Sequence, residues 1–147
     1  MAQIAFNVAL GKGAYYCSLP AANDAIGVLV LQSSGLGTDA TLRDCATVAA
    51  VLGAATEQTT MGRKIITSAT ATVDNTNDRV GLDIADQTWL NALGATVGAL
   101  VFYYDPDTTT STDSTRIPIS KHDWSIIPDG SDATATIADF MRITSAA

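Results

Sequence analysis

The chain has 147 residues, a net charge of −7 and a mean hydropathy of +0.21. A chain of this length buries roughly two thirds of its surface on folding, so residues 1–147 are predicted to form a single domain. The 47% of hydrophobic residues exclude a disordered chain, and no apolar run approaches the roughly 18 residues of a membrane helix. Eight scattered basic residues argue against nucleic acid as a partner.

The acidic residues are unevenly divided, with fourteen aspartates and a single glutamate, Glu57. Aspartate favours turns and helix caps, whereas threonine, which is abundant here, favours strands. The composition therefore predicts strands joined by Asp-rich turns. Charged residues make up only 16% of the chain, where about 25% is usual. This deficit is typical of a subunit covered by its neighbours, although a monomer with a threonine-rich surface has the same composition.

Residues 1–10 alternate between apolar and small or polar side chains, which is the period of a strand. Gly11 and Gly13 end this pattern. Such a strand docks either on its own sheet or, as an arm, on a neighbouring subunit. We assign a candidate interface with neighbouring subunits to the apolar and aromatic side chains of this region, namely Ile4, Phe6, Val8, Tyr15 and Tyr16.

Residues 25–31 form an uninterrupted apolar run between turn-forming segments, which predicts a strand buried on both faces. One helix is predicted over about residues 40–52, where Thr38 or Thr41 can cap its start and Gly53 can end it. Its apolar side chains recur at helical spacing and are Leu42, Cys45, Val48 or Ala49, and Leu52.

The second half of the chain has the pattern of further strands separated by turns. Pro118 removes a backbone donor, so the strand that contains it is predicted to lie at a sheet edge. The other strands are predicted in residues 64–73, 99–104 and 135–144 and from residue 79 onward, with turns at 74–78 and 128–130 and a polar loop at 105–115. The predicted fold class is mainly β, an antiparallel β-sandwich or barrel-like domain with one α-helix.

No group of residues points to catalysis. His122 is the single histidine, and Ser120 shares its side of the strand, but Asp123 points away and no oxyanion donor is evident. The sequence therefore predicts no enzyme and no cofactor. Cys17 and Cys45 lack metal-ligand spacing and are interpreted as buried free thiols, with a disulfide as the alternative.

Two groups of aspartates imitate cation sites. The first has the opening ligands of a calcium loop, but Arg79 stands where the glycine belongs, so we interpret it as a turn formed by Asp74, Thr76 and Asp78. The second group contains Asp105, Asp107 and Asp113, and its pattern fits a solvated loop as well as it fits a cation site. The sequence thus predicts no metal site, and calcium in the second group stays an open alternative.

Several short motifs follow one another in a fixed order. They are Ala5-Phe-Asn-Val-Ala9, Ser34-Gly-Leu36, Asp39-Ala-Thr-Leu42, Asn77-Asp-Arg79, Asp86-Gln-Thr-Trp89, Tyr104-Asp-Pro-Asp-Thr-Thr109, Thr112-Asp-Ser114, His122-Asp123 and Pro128-Asp-Gly-Ser-Asp132. In this order they resemble a family of small structural proteins from tailed phages of actinobacteria, and the resemblance covers most of the chain.

The resemblance implies a virion component without catalytic residues. We expect a capsid decoration (minor capsid) protein on the outer head surface, made in the host cytoplasm, with the major capsid protein and further copies of itself, as a trimer, for partners. The net charge of −7 agrees with this outer position, because packaged DNA repels an acidic protein. The alternatives are a head-tail or tail-tube subunit, and a tail or fibre module that binds host glycans through Trp89, Trp124, Tyr103 and Tyr104.

Overall fold

Antiparallel β-structure dominates the computed structural model, which describes residues 3–144. Strands hold 38% of the residues and helices 14%, which confirms the predicted mainly-β class. The strands are β1 (Gln3–Ala5), β2 (Ala25–Gln32), β3 (Lys64–Ile66), β4 (Thr70–Asp74), β5 (Arg79–Asp83), β6 (Gln87–Trp89), β7 (Val97–Asp105), β8 (Ile117–Ile126), β9 (Ala133–Ala135) and β10 (Met141–Thr144). The helices are α1 (Gly13–Cys17), α2 (Asp39–Arg43) and α3 (Val48–Ala54), with a 3-10 turn at Asn7–Ala9.

The largest sheet has five strands in the order β1-β8-β7-β2-β3, and each of its pairings is antiparallel. Two smaller antiparallel sheets contain β10-β5-β4 and β6-β9. The predicted buried strands at residues 25–31 and 99–104 are confirmed as β2 and β7, which pair with each other at the centre of the large sheet.

The two faces of the large sheet contribute to two separate hydrophobic clusters. Ile26 and Val28 belong to the cluster that also includes residues of α1 and the smaller sheets, whereas Leu29 and Leu31 pack with α2 and α3. Successive residues of a strand point to opposite faces, so a strand covered on both faces has a continuous apolar run. The result is a β-sandwich with helices against the outer face of the large sheet.

The predicted helix is divided into two short helices. Thr38 caps α2 by accepting a hydrogen bond from the backbone N–H of Thr41 at 3.2 Å. Thr47 is extended and caps α3 by accepting from the N–H of Ala50 at 3.1 Å. A second capping threonine therefore interrupts the helical pattern, and Gly53 lies inside α3 instead of ending it. None of the described helices is long and apolar enough to cross a membrane.

The N-terminal strand is shorter than predicted and pairs within its own chain. β1 pairs with β8, where Ile4 lies opposite Lys121, so the strand is an edge of the large sheet and not a free docking arm. The chain leaves the sheet before Asn7, because a 3-10 turn follows, and Leu10 is exposed. Residues 1–2 of the predicted strand lie outside the described residues.

Pro118 does not lie on an edge strand, because β8 is flanked by β1 and β7. The pairing of β7 with β8 shifts register between Phe102 and Tyr103, and Tyr103 is opposite Pro118. β1 pairs with β8 only at residues 120–122. The missing donor of Pro118 is therefore accommodated at an irregularity of the ladder.

Two predicted strands are each interrupted. Residues 64–73 contain β3 and most of β4, which belong to different sheets, and residues 135–144 contain the end of β9 and all of β10. Phe140 lies in the segment that connects β9 to β10 and is buried. A single strand period cannot describe a segment that moves from one sheet to another. The predicted turn at residues 74–78 is confirmed: the Asp74 carboxylate accepts hydrogen bonds from its own turn.

Both cysteines are buried free thiols, as predicted. Cys17 belongs to the cluster shared with the smaller sheets, and Cys45 belongs to the cluster under α2 and α3. The large sheet separates them, so they cannot form a disulfide with each other. Burial raises the pKa of both thiols, which lowers their reactivity.

Candidate functional site

The five predicted interface residues have different surroundings. Ile4, Phe6 and Tyr16 are buried in the chain's own core, and the Tyr16 ring stacks on Tyr104 at 4.7 Å between centroids. Val8 is half-buried. Tyr15 alone presents most of its side chain to solvent. The structure therefore does not bring these five side chains together on one exposed surface.

His122 is held by a backbone carbonyl and not by an acid–base partner. Its Nε2 lies 2.8 Å from the carbonyl oxygen of Phe140 and 2.9 Å from the side-chain nitrogen of Gln3, which donates to the same carbonyl at 3.0 Å. The Ser120 hydroxyl donates to the same oxygen and lies 3.4 Å from His122 Nε2, but the Asp123 carboxylate is bound by Lys121 and does not contact the ring. These residues therefore lack the hydrogen-bond chain of a hydrolase triad.

The cavity beside His122 is small. Its walls include Phe102, Trp124 and Asp139, and its volume is about 190 Å³. Sites for small organic ligands usually have roughly 300–1,000 Å³. Burial lowers the pKa of His122 below its ordinary value, so the ring in this cavity is neutral at pH 7.

Because the chain has one histidine, a change of its stability with pH near neutrality can be assigned to that residue. Because the folded-state pKa of His122 lies below its unfolded value of about 6.5, the unfolded chain takes up the proton first. Stability should therefore fall as the pH drops below about 6.5 and level off below the folded-state pKa. We expect the urea midpoint to decrease between pH 7.5 and 5.5, and this decrease to vanish in His122→Gln, which keeps a donor for Phe140. Equal pH dependence in both proteins would contradict this assignment.

The four aromatic residues predicted as glycan stackers are all buried. Trp89 and Trp124 pack on each other at 5.2 Å, and Trp89 Nε1 donates to the carbonyl oxygen of Gly62 at 3.0 Å. Tyr103 and Tyr104 are enclosed at the end of β7. A sugar ring stacks on an exposed aromatic face, so none of the four provides such a platform.

The carboxylates of the loop after β7 are bound by arginines. Arg116 Nε lies 2.8 Å from the fully buried carboxylate of Asp105, and both Arg116 and Arg63 contact Asp113. Hydrogen bonds from Arg63 hold the pKa of Asp113 below its ordinary value. Asp107 accepts hydrogen bonds from its own turn. Within residues 3–144 no three His, Cys, Asp or Glu side chains are placed to hold a metal ion.

Three large apolar side chains are exposed on two adjoining loops. Leu90 and Leu93 follow β6 and are 71% and 53% exposed, and Ile127 follows β8 and is 79% exposed. We call these three side chains the apolar patch. Ala92 and Ile127 line the same depression between the loops. Singly scattered leucines on a surface are ordinary, whereas apolar side chains gathered in one region are typical of an interaction surface, and these two loops bring the three side chains to one region.

Backbone hydrogen bonds join the two loops of the apolar patch. The N–H of Ala92 donates to the Ser131 carbonyl at 2.9 Å, and the N–H of Gly130 donates to the Ala92 carbonyl at 2.8 Å. The N–H of Asn91 donates to Asp132 Oδ1 at 2.9 Å. Asn91 and Gly130 both have positive φ, which asparagine and glycine tolerate.

A buried glutamine fixes the first of these loops to the rest of the fold. The side-chain nitrogen of Gln58 donates to the carbonyl oxygens of Leu93 and Ala95 at 2.8 and 3.3 Å. Its side-chain oxygen accepts from the N–H groups of Thr60 and Met61. All hydrogen-bonding groups of this buried amide are thus used to hold loop backbone. The apolar patch is presented on a rigid support.

The sequence prediction missed the apolar patch. Its members lie in segments with turn-forming neighbours, such as Asn91, Gly94 and Pro128, where neither strand nor helix periodicity accounts for a leucine or isoleucine. Large apolar residues at such positions were the available signal.

The comparisons with known proteins gave no match: no family model, no curated protein and no solved structure matches this chain.

Proposed function

We propose that this chain is a structural protein of a phage virion, a decoration (minor capsid) protein that binds the outer surface of the head and reinforces the shell. The observation that carries the proposal is the apolar patch, a group of exposed apolar side chains on hydrogen-bonded loops of an acidic domain. The motif order described above supports the same role. Reinforcement requires only that the protein binds the assembled shell and not its separated subunits.

The charge supports a position outside the shell. The chain carries a net charge of −7, and packaged DNA repels such a protein. The low content of charged residues fits a subunit that is covered by neighbours in the assembled particle, including further copies of itself in a closed oligomer such as a trimer. The glycan-binding alternative has less support, because its four candidate stacking residues are buried.

The proposal is tested with particles from a phage whose copy of this gene is deleted. Purified protein should bind these particles saturably, and the decorated particles should resist heat to a higher temperature than undecorated ones, because binding stabilises the assembled state. Bovine serum albumin, which is also acidic, serves as a control for non-specific adhesion. Absence of binding, or location of the protein on the tail in images of intact particles, would refute the proposal.

A further inference from the structure

Two carboxylates flank the apolar patch. Asp129 lies on the same loop as Ile127, two residues further along the chain, and Asp132 accepts the hydrogen bond from the loop that carries Leu90 and Leu93. Within the described part of the chain neither carboxylate forms a salt bridge; each accepts hydrogen bonds from neutral groups instead. Both are therefore available to cations of another molecule.

The chain itself has few cations to offer such carboxylates. Of its eight lysines and arginines, five already pair with carboxylates within residues 3–144, namely Arg63, Arg79, Arg116, Lys121 and Arg142. Two copies that meet through their apolar patches would also bring like charges together, which opposes association. Charge complementarity thus favours a foreign, basic partner over a second copy.

We propose that the apolar patch docks into an apolar recess bordered by lysine or arginine side chains on the major shell protein. This inference rests on the proposed function and names the contact surface. The leucine and isoleucine side chains supply the desolvated centre of the contact, and Asp129 and Asp132 supply its charged rim. Because hydrogen bonds already hold both loops, little conformational entropy is lost on docking.

The apolar part of the contact is tested with the gene-deleted particles as the binding probe. Leu90→Ser and Ile127→Ser should each weaken binding by about tenfold or more, the loss that marks a residue at the energetic centre of an interface. Val73→Ser is the matched control, because Val73 is 66% exposed but lies on β4, in a different sheet. It should bind like the wild type. All three side chains are exposed, so the variants should unfold at the wild-type temperature.

The charged part is tested with Asp129→Asn and Asp132→Asn combined. Asparagine keeps the Oδ1 acceptor that each turn requires, so only the two charges are lost. Wild-type binding should weaken as salt is raised, and the variant should bind more weakly at low salt and depend less on salt. Asp78→Asn removes an exposed charge from the remote turn between β4 and β5, at a positive φ that asparagine tolerates, and should leave binding unchanged.

The outcomes separate this inference from the proposed function. Wild-type protein that binds particles while the patch variants bind equally well would overturn the docking surface and leave the decoration role intact. Wild-type protein that does not bind would overturn both. Patch variants that lose self-association in sedimentation, with unchanged particle binding, would assign the surface to a second copy and overturn the inference.

Discussion

Gly27→Ala should destabilise the protein by about 3 kcal/mol, the upper range for overpacking a core. Gly27 lies in β2 directly opposite Tyr103 of β7, and the Tyr103 ring lies where a Cβ on Gly27 would be. Tyr103 is fully buried, and because protein interiors are close-packed, movement of the ring must displace other core atoms. A domain has a total free energy of unfolding of only roughly 5–15 kcal/mol, so adding this one methyl group should remove a large share of that free energy.

The measurement is urea denaturation of the variant beside the wild type, with Gly53→Ala as the matched control. Gly53 lies inside α3, and a Cβ there meets no atom within 4 Å. Alanine is a better helix former than glycine by about 1 kcal/mol, so the control should be more stable than the wild type. Replacing glycine by alanine should thus lower the free energy of unfolding at position 27 and raise it at position 53. Equal effects at both positions would contradict the packing of Tyr103 against Gly27.

Arg116→Met should lower the free energy of unfolding by about 3–5 kcal/mol, the usual cost of removing one partner from a buried ion pair. The Asp105 carboxylate is completely buried, and Arg116 Nε contacts it at 2.8 Å. Methionine retains much of the apolar stem of arginine but leaves this carboxylate without a cation. The guanidinium also lies 5.9 Å from the Tyr103 ring centroid, and this contact is lost as well.

Arg142→Met is the control for this prediction. Arg142 is 48% exposed and pairs with Asp139 at 2.6 Å, and such a surface pair contributes less than about 1 kcal/mol. Adding Asp105→Asn to Arg116→Met should restore part of the lost stability, because no unpaired buried charge then remains. Chemical denaturation at pH 7 gives the free energy of unfolding of the wild type, the two single variants and the double variant. A loss of similar size in Arg142→Met and Arg116→Met would show that burial of the Asp105 pair is not the cause.

Predictions from local pattern were most accurate where one segment belongs to one environment. β2 and β7 were predicted because each is covered on both faces, so every residue in the run is apolar whichever face it occupies. The turn at residues 74–78 was predicted because Asp74 bonds to backbone only two and three residues away. The predicted helix failed at Thr47, where the backbone N–H groups of Val48 and Ala49 donate to carbonyls between β7 and β8.

The candidate site was not predicted from the sequence. The composition predicted an acidic subunit covered by its neighbours, but the sequence assigned the interface to the N-terminal region, where Ile4, Phe6 and Tyr16 instead complete the core. An apolar side chain near the terminus is equally suited to its own sheet or to a neighbour. Which of these it contacts depends on β8, more than a hundred residues later in the chain.

The amino-acid sequence alone determined the β class, the two central strands and the acidic character, because each follows from composition or from the pattern of residues close in the chain. Only the tertiary structure decided that Gln58 and a pair of loops some forty residues apart hold three apolar side chains in solvent. It also decided that Arg116 neutralises Asp105. The physical reason is that burial and charge pairing depend on distances in space, which the chain sets only when its sheets have assembled.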